Sequence, residues 1–295
     1  MAIFVKFWGT RGSIPTPGPR TERYGGNTSC VELRAGDAIL ICDGGTGLRE
    51  LGEALARRHP AGGMRLHLFF SHPHWDHIQG FPFFGAAYAP SNTLFVYGTA
   101  KQDQHIHSLL SGQMKSAYFP VDFEDLGARI SPRECGPEPS EIDGVQVTAF
   151  AQKHPGGSLG YRFEQEGKVV VYATDIELDQ LLEDPSLPER SPQALRVLPE
   201  ALVNRVRGAD LLICDSQYTD AEYPKKVGWG HPRASTAVDL AVQAGVRQLA
   251  LYHHDPMHSD GEVEKKANLG QTRARQHGSD LTVFAAREGV ELKIS

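Results

Sequence analysis

The segment His72-Pro73-His74-Trp75-Asp76-His77 constrains this chain more than any other. Four of its six residues are metal-ligand types, and they follow the apolar run Leu66-His67-Leu68-Phe69-Phe70-Ser71, which reads as a buried strand. A strand that ends this way presents several donors from one rigid edge, close enough together for two metal ions. In extended chain His72 and His74 alternate about Pro73, so both can face one metal. Asp76 and His77 lie a turn further on and can face a second. Neutral imidazoles with a carboxylate suit zinc, manganese or iron and do not suit calcium. Asp76 is also placed to hold a hydroxide bridging the two ions. Surface histidines at a helix start are the bland alternative, and three histidines with an aspartate in six positions argue against it.

Such a site needs further ligands, and the chain offers them after other apolar runs: His154, Asp175, and the pair His253 and His254. Taken singly, His154 reads as a loop histidine and Asp175 as a helix N-cap. Their shared placement at strand ends is what makes them ligand candidates. Among 295 residues, strands are expected at 66–70, 93–97, 145–150, 160–163, 169–173, 211–214, 248–252 and 281–285, with a hairpin from 31–33 to 38–42. Helices are expected at about 48–58, 101–110, 198–206, 234–244 and 261–277. Two halves of strands with outer helices imply two packed sheets in one domain spanning 1–295. Residues 176–200, acidic and Pro-rich, read as a lid, a surface insertion or a long connection.

The formal net charge of −6 argues against a broad nucleic-acid surface, although a local basic groove is compatible with it. No apolar run approaches the ~18 residues of a spanning helix. The first residues read as a strand and not as a signal peptide, so a cytoplasmic protein with no membrane partner is expected. The scattered cysteines Cys30, Cys42, Cys135 and Cys214 show no paired spacing and read as free thiols.

The ordered set His72-x-His74-x-Asp76-His77, His154, Asp175 and His253 resembles the metallo-β-lactamase-fold hydrolases over nearly the whole chain. Gly9-Thr10-Arg11-Gly12-Ser13-Ile14-Pro15, Asn27-Thr28-Ser29-Cys30, Asp43-Gly44-Gly45-Thr46-Gly47 and Leu251-Tyr252-His253-His254-Asp255-Pro256 look like landmarks of its phosphodiesterase branch, which includes ribonuclease Z and related cyclic-nucleotide phosphodiesterases. The resemblance implies an α+β fold, an αββα sandwich of two mixed sheets with outer helices. It implies two divalent ions, zinc first, with manganese or iron as alternatives. His72, His74 and His154 would hold one ion and Asp76, His77 and His253 the other, with Asp175 bridging; His254 is the runner-up to His253. Ser71 stands where that branch usually has threonine.

Gly230-His231-Pro232-Arg233 reads by itself as a helix start. In the phosphodiesterase branch a histidine at this place contacts the scissile phosphate, oriented in ribonuclease Z by an acidic residue after the preceding strand. His231 and Asp215 match those two positions. The implied chemistry is attack of a metal-bridging hydroxide on a small nucleotide phosphodiester, a cyclic nucleotide by preference, with His231 assisting the leaving oxygen. The chain has no Gly-rich basic arm of the bacterial ribonuclease Z kind, and the acidic 176–200 segment would repel a polyanion. Alternatives are a ribonuclease Z-like endoribonuclease, a metallo-hydrolase for a lactone, thioester or β-lactam, and a non-catalytic metal-binding protein. Trp75, Phe81, Phe83, Phe84, Tyr88, Tyr218 and Trp229 are candidates for stacking a base, though such residues usually fill cores or interfaces. Related enzymes lean towards a homodimer.

Overall fold

The computed structural model describes residues 2–98 and 106–295. The chain begins with β1 (Ile3–Gly9), β2 (Cys30–Ala35), β3 (Ala38–Cys42), helix α1 (Gly47–Arg58), β4 (Arg65–Phe69) and the single turn α2 (Trp75–Ile78). β5 (Thr93–Tyr97), α3 (Ile106–Gln113) and β6 (Arg129–Arg133) complete the first half. The helix expected over 101–110 begins outside the described residues. The second half runs β7 (Ser140–Ile142), β8 (Val145–Gln152), β9 (Ser158–Gln165), β10 (Lys168–Ala173), α4 (Leu187–Arg190), α5 (Glu200–Val206), β11 (Leu211–Asp215) and α6 (Ala234–Gln243). β12 (Gln248–Tyr252), α7 (Asp260–Gln276), β13 (Thr282–Ala285) and β14 (Glu291–Ile294) follow.

Two seven-stranded sheets result, in the orders β14-β1-β2-β3-β4-β5-β6 and β13-β12-β11-β10-β9-β8-β7. Each is mixed. β3 to β6 pair in parallel, as do β10 to β13, and the remaining pairs are antiparallel. The period of two along each strand builds the layers. Val170 and Tyr172 of β10 enter the core between the sheets with Ile213, Ala250 and Phe69. Val169, Val171 and Ala173 point the other way, against α5, α6 and α7. Leu66, Leu68 and Phe70 pack outward on the α1 side. The architecture is the expected αββα sandwich.

The strands missed in the sequence are edges or ends. β6 is the largely exposed run Arg-Ile-Ser-Pro-Arg, β7 has three residues, and β14 crosses back to pair with β1. A proline in a short polar run argues against a strand, yet an edge tolerates it. Helix α5 starts two residues later than expected because Pro199 occupies its N-cap and biases Leu198 towards extended chain.

Residues 176–200 form a packed connection, the last of the three readings given above, while Glu183 and Glu189 stay exposed on its surface. Leu178, Leu182 and Leu198 are buried in the helix-side core. Asp179 accepts hydrogen bonds from the Arg233 backbone and guanidinium at 2.8 and 2.7 Å, and Glu189 pairs with the same arginine. Glu177 and Asp179 thus face inward. All four cysteines are free, and Cys30, Cys42 and Cys214 are buried. Among the described residues no helix is long and apolar enough to cross a membrane.

Candidate metal centre

Both sheets aim the carboxyl ends of their central strands at one edge, where open α/β sheets place their ligands. His72 follows β4, His154 follows β8, Asp175 follows β10, Asp215 ends β11 and His253 follows β12. Segments nearly 180 residues apart in sequence converge there, bringing together His72, His74, Asp76, His77, His154, Asp175, Asp215, His231 and His253.

His72, His74 and His154 offer ligand atoms within 4.8 Å of one another, as do Asp76, His77 and His253. His74 Nδ1 lies 3.3 Å from His154 Nε2. Asp76 Oδ2 lies 3.1 Å from the Nε2 atoms of both His77 and His253. Asp175 sits between the groups and turns one oxygen to each. Its Oδ1 is 3.7 and 3.8 Å from His72 and His154 Nε2, and its Oδ2 is 3.2 and 3.4 Å from His77 and His253 Nε2.

These residues fit two divalent ions. Tetrahedral nitrogen ligands about 2.0–2.1 Å from zinc lie roughly 3.3 Å from each other, the spacing found between His74 and His154. The buried Nε2 atoms of His72 and His77 make no hydrogen bond. His77 Nε2 lies 3.1 and 3.2 Å from carboxylate oxygens of Asp76 and Asp175. An unpartnered buried imidazole nitrogen costs stability unless a ligand completes it. A fourth set, Asp175, Asp215, His231 and His253, is equally close, but donors already satisfy Asp215.

Electrostatics divide the two groups. Burial holds His72 well below the ordinary imidazole value and lowers His74 and His154 too, leaving neutral rings. Burial also opposes charge on His77 and His253, yet the carboxylates of Asp76 and Asp175 overcome it. They hold His77 well up and raise His253 to about 9. The carboxyls of Asp76 and Asp175 are held well below their usual range by the neighbouring histidines, against the effect of burial. A field that draws protons so strongly also draws cations.

Supporting hydrogen bonds set the tautomers of His154, His253 and His77. His154 Nδ1 donates to the Gly230 carbonyl at 2.9 Å, and His253 Nδ1 lies 3.0 Å from Gln217 Oε1. His77 Nδ1 donates to Asp43 at 2.7 Å, and the hydroxyls of Ser71 and Tyr172 donate to the same buried carboxylate. The Ser13 backbone N–H donates to Asp76 at 2.7 Å. Of the six non-glycine residues with positive φ among the described residues, Asp143 and Glu166 occupy hairpin turns, while Ser13, Asp43, Asp175 and His253 belong to this site. Such backbone costs of the order of 1–3 kcal/mol per residue and persists where the surroundings enforce it. Gly12 is required for another reason: a Cβ there would lie 2.3 Å from the His253 ring.

His254 is excluded from the cluster, since its Nε2 donates to the Ala286 carbonyl. His231 lines the open side with its Nδ1 2.7 Å from Asp215, its ring stacked 4.8 Å from that of His253. The cleft above the cluster measures about 400 Å³ and is lined by Ser13, Pro73, His74, Trp75, Asp76, Asp175 and His231. A larger groove of about 720 Å³ between α6 and α7 holds none of the cluster. In the sequence Asp43 and Ser13 stand only within landmark motifs, and Glu177 and Gln217 carry no signal, because each acts through contacts with distant segments.

Fold and site together define a metal-dependent hydrolase on an αββα sandwich. Residues 39–254 match the Beta-lactamase superfamily domain family, and the chain belongs to it. It is 28% identical to a protein named Ribonuclease Z from Halobacterium salinarum, over all of this chain and 98% of that one. It is 25% identical to another of that name from a Synechococcus species, over 88% of this chain and 87% of the other. Among solved structures, the metallo-beta-lactamase fold protein YhfI from Bacillus subtilis superposes with a TM-score of 0.67 at 19% identity over 99% of both chains. A diphosphatase from the PhnP family gives 0.66 at 16% identity, over 99% of this chain and 98% of that one. The short form of human tRNase Z gives 0.63 at 18% identity over 99% of both.

Proposed function

We propose that the protein hydrolyses phosphodiesters at a two-metal centre, with a small nucleotide diester, such as a cyclic nucleotide, as substrate. The observation that carries this reading is the His231–Asp215 pair on the cleft wall beside the ligand cluster. Two ions held by His72, His74, His154, Asp76, His77, His253 and Asp175 would supply an acidified water and positive charge for phosphoryl oxygens. Asp215 fixes the His231 tautomer, so Nε2 is the atom left to contact phosphate or to hand a proton to a leaving oxygen. An ester whose alkoxide leaves poorly needs such a proton donor.

A small substrate is supported by the cleft itself. Its described lining includes no lysine or arginine, whereas a polyanion is normally held by several phosphate contacts. The second reading is an endoribonuclease, supported by the name Ribonuclease Z carried by relatives that align along the whole chain. Metal-loaded protein would be offered bis-p-nitrophenyl phosphate, 3′,5′-cyclic nucleotides, a precursor tRNA and nitrocefin. Cleavage of the first two is expected; turnover of nitrocefin alone overturns the reading, and turnover of the tRNA alone selects the second. His231→Ala should keep its metal and lose roughly 10²–10⁴-fold in turnover.

A further inference from the structure

Seven aromatic residues were candidates for stacking a base, and the structure removes most of them. Phe81, Phe84 and Tyr218 are buried. Phe83 packs edge-on against Phe119 and lines a separate groove beside α1, and Tyr88 donates its hydroxyl to the Pro82 carbonyl. Trp229 is exposed, but the Lys226 ammonium lies 3.8 Å from the centre of its ring. Trp8, the third tryptophan, carries Lys6 at 4.1 Å. Trp75 differs from both. It is 65% exposed, it lines the cleft, and among the described residues no ring or cation lies against its indole.

Its position is also fixed. Trp75 is the first residue of α2, between the ligand candidates His74 and Asp76, so its backbone cannot shift without moving the cluster. Pro73 stiffens the approach. A large indole left in water gives up burial that such a side chain normally contributes, and here it does so beside the reacting centre.

Accepting the phosphodiesterase reading, we infer that Trp75 is the stacking platform for the base of a nucleoside phosphodiester. It selects nucleoside esters over simple alkyl esters at the same metal centre. The rigid indole needs no reorganisation to receive a planar ring, and every base offers a π-face. Purines and pyrimidines are therefore both accepted.

The test compares thymidine 5′-(p-nitrophenyl phosphate) with methyl p-nitrophenyl phosphate on metal-loaded wild type, Trp75→Ala and Trp75→Phe, with thymidine 5′-monophosphate binding measured by calorimetry. Loss of one stacking contact should cut the preference for the thymidine ester, and weaken monophosphate binding, by roughly 5- to 150-fold in Trp75→Ala. Trp75→Phe should recover most of both. If the two esters respond alike, or monophosphate binding is unchanged, the inference is overturned. If wild type cleaves neither ester, the phosphodiesterase reading fails, while the calorimetry still decides whether Trp75 holds a base.

Discussion

Replacing Glu177 with alanine should loosen the loop that carries His231 and, through it, one metal-ligand candidate. Glu177 follows Asp175 by two residues and is buried. Its carboxylate accepts hydrogen bonds from the Tyr223 hydroxyl at 2.8 Å and from the backbone N–H groups of Gly228 and Gly230 at 2.6 and 2.9 Å. Hydrogen bonds to a charged group contribute about 1.5–3 kcal/mol each. Three together, less what water entering the vacated space restores, come to roughly 3–5 kcal/mol. In a chain of this size that is a fall in Tm of about 5–8 °C. The Gly230 carbonyl also accepts from His154, so metal affinity should drop by the 10- to 100-fold typical of losing an orienting partner. Thermal unfolding and metal titration read the two effects, with Glu177→Gln falling between alanine and wild type. A Glu177→Ala protein with wild-type Tm and metal affinity would refute the claim that this carboxylate pins the loop.

Two further outcomes can be checked. Asp43→Asn removes the carboxylate that accepts from His77, Ser71 and Tyr172; metal affinity measured against a competing chelator should fall about 10- to 100-fold, and full retention would count against its role. Burial raises the Glu222 carboxyl, but hydrogen bonds from His258 and Thr219 outweigh it and pull the group down to about 2. A carboxyl lowered by folding stabilises fully above its unfolded value near 4.5 and loses that contribution as pH falls towards 2. The difference in urea midpoint between metal-free wild type and Glu222→Gln should therefore be steady above about pH 5 and shrink below it; a gap that widens in acid would contradict this.

The ligand cluster was legible because its chemistry is local. His72 to His77 lie on one strand end and turn, and His154, Asp175 and His253 each follow an apolar run that ends at the same sheet edge. Period-two burial in β10, β11 and β12 was legible for the same reason. The supporting groups were not. Asp43 matters because Tyr172, 129 residues away, donates to it, and Glu177 because a loop some 50 residues on folds over it. The acidity of 176–200 could not be divided from the sequence into Glu177 and Asp179, which turn inward, and Glu183 and Glu189, which stay exposed. Aromatic character alone could not separate Phe81, which fills the core, from Trp75, which faces the cleft.

By itself, then, the sequence determined residue types and their order: which donors could bind metal, which runs could be buried, and that Asp215 and His231 could form a pair. Tertiary structure decided which atoms face one another. It turned the two oxygens of Asp175 towards two separate sets of imidazoles, excluded His254, and left the Trp75 indole exposed beside the cluster. The physical reason is range. Strand burial and ligand spacing are set over a few residues, whereas hydrogen-bond partners and exposure depend on how the two sheets and their loops meet.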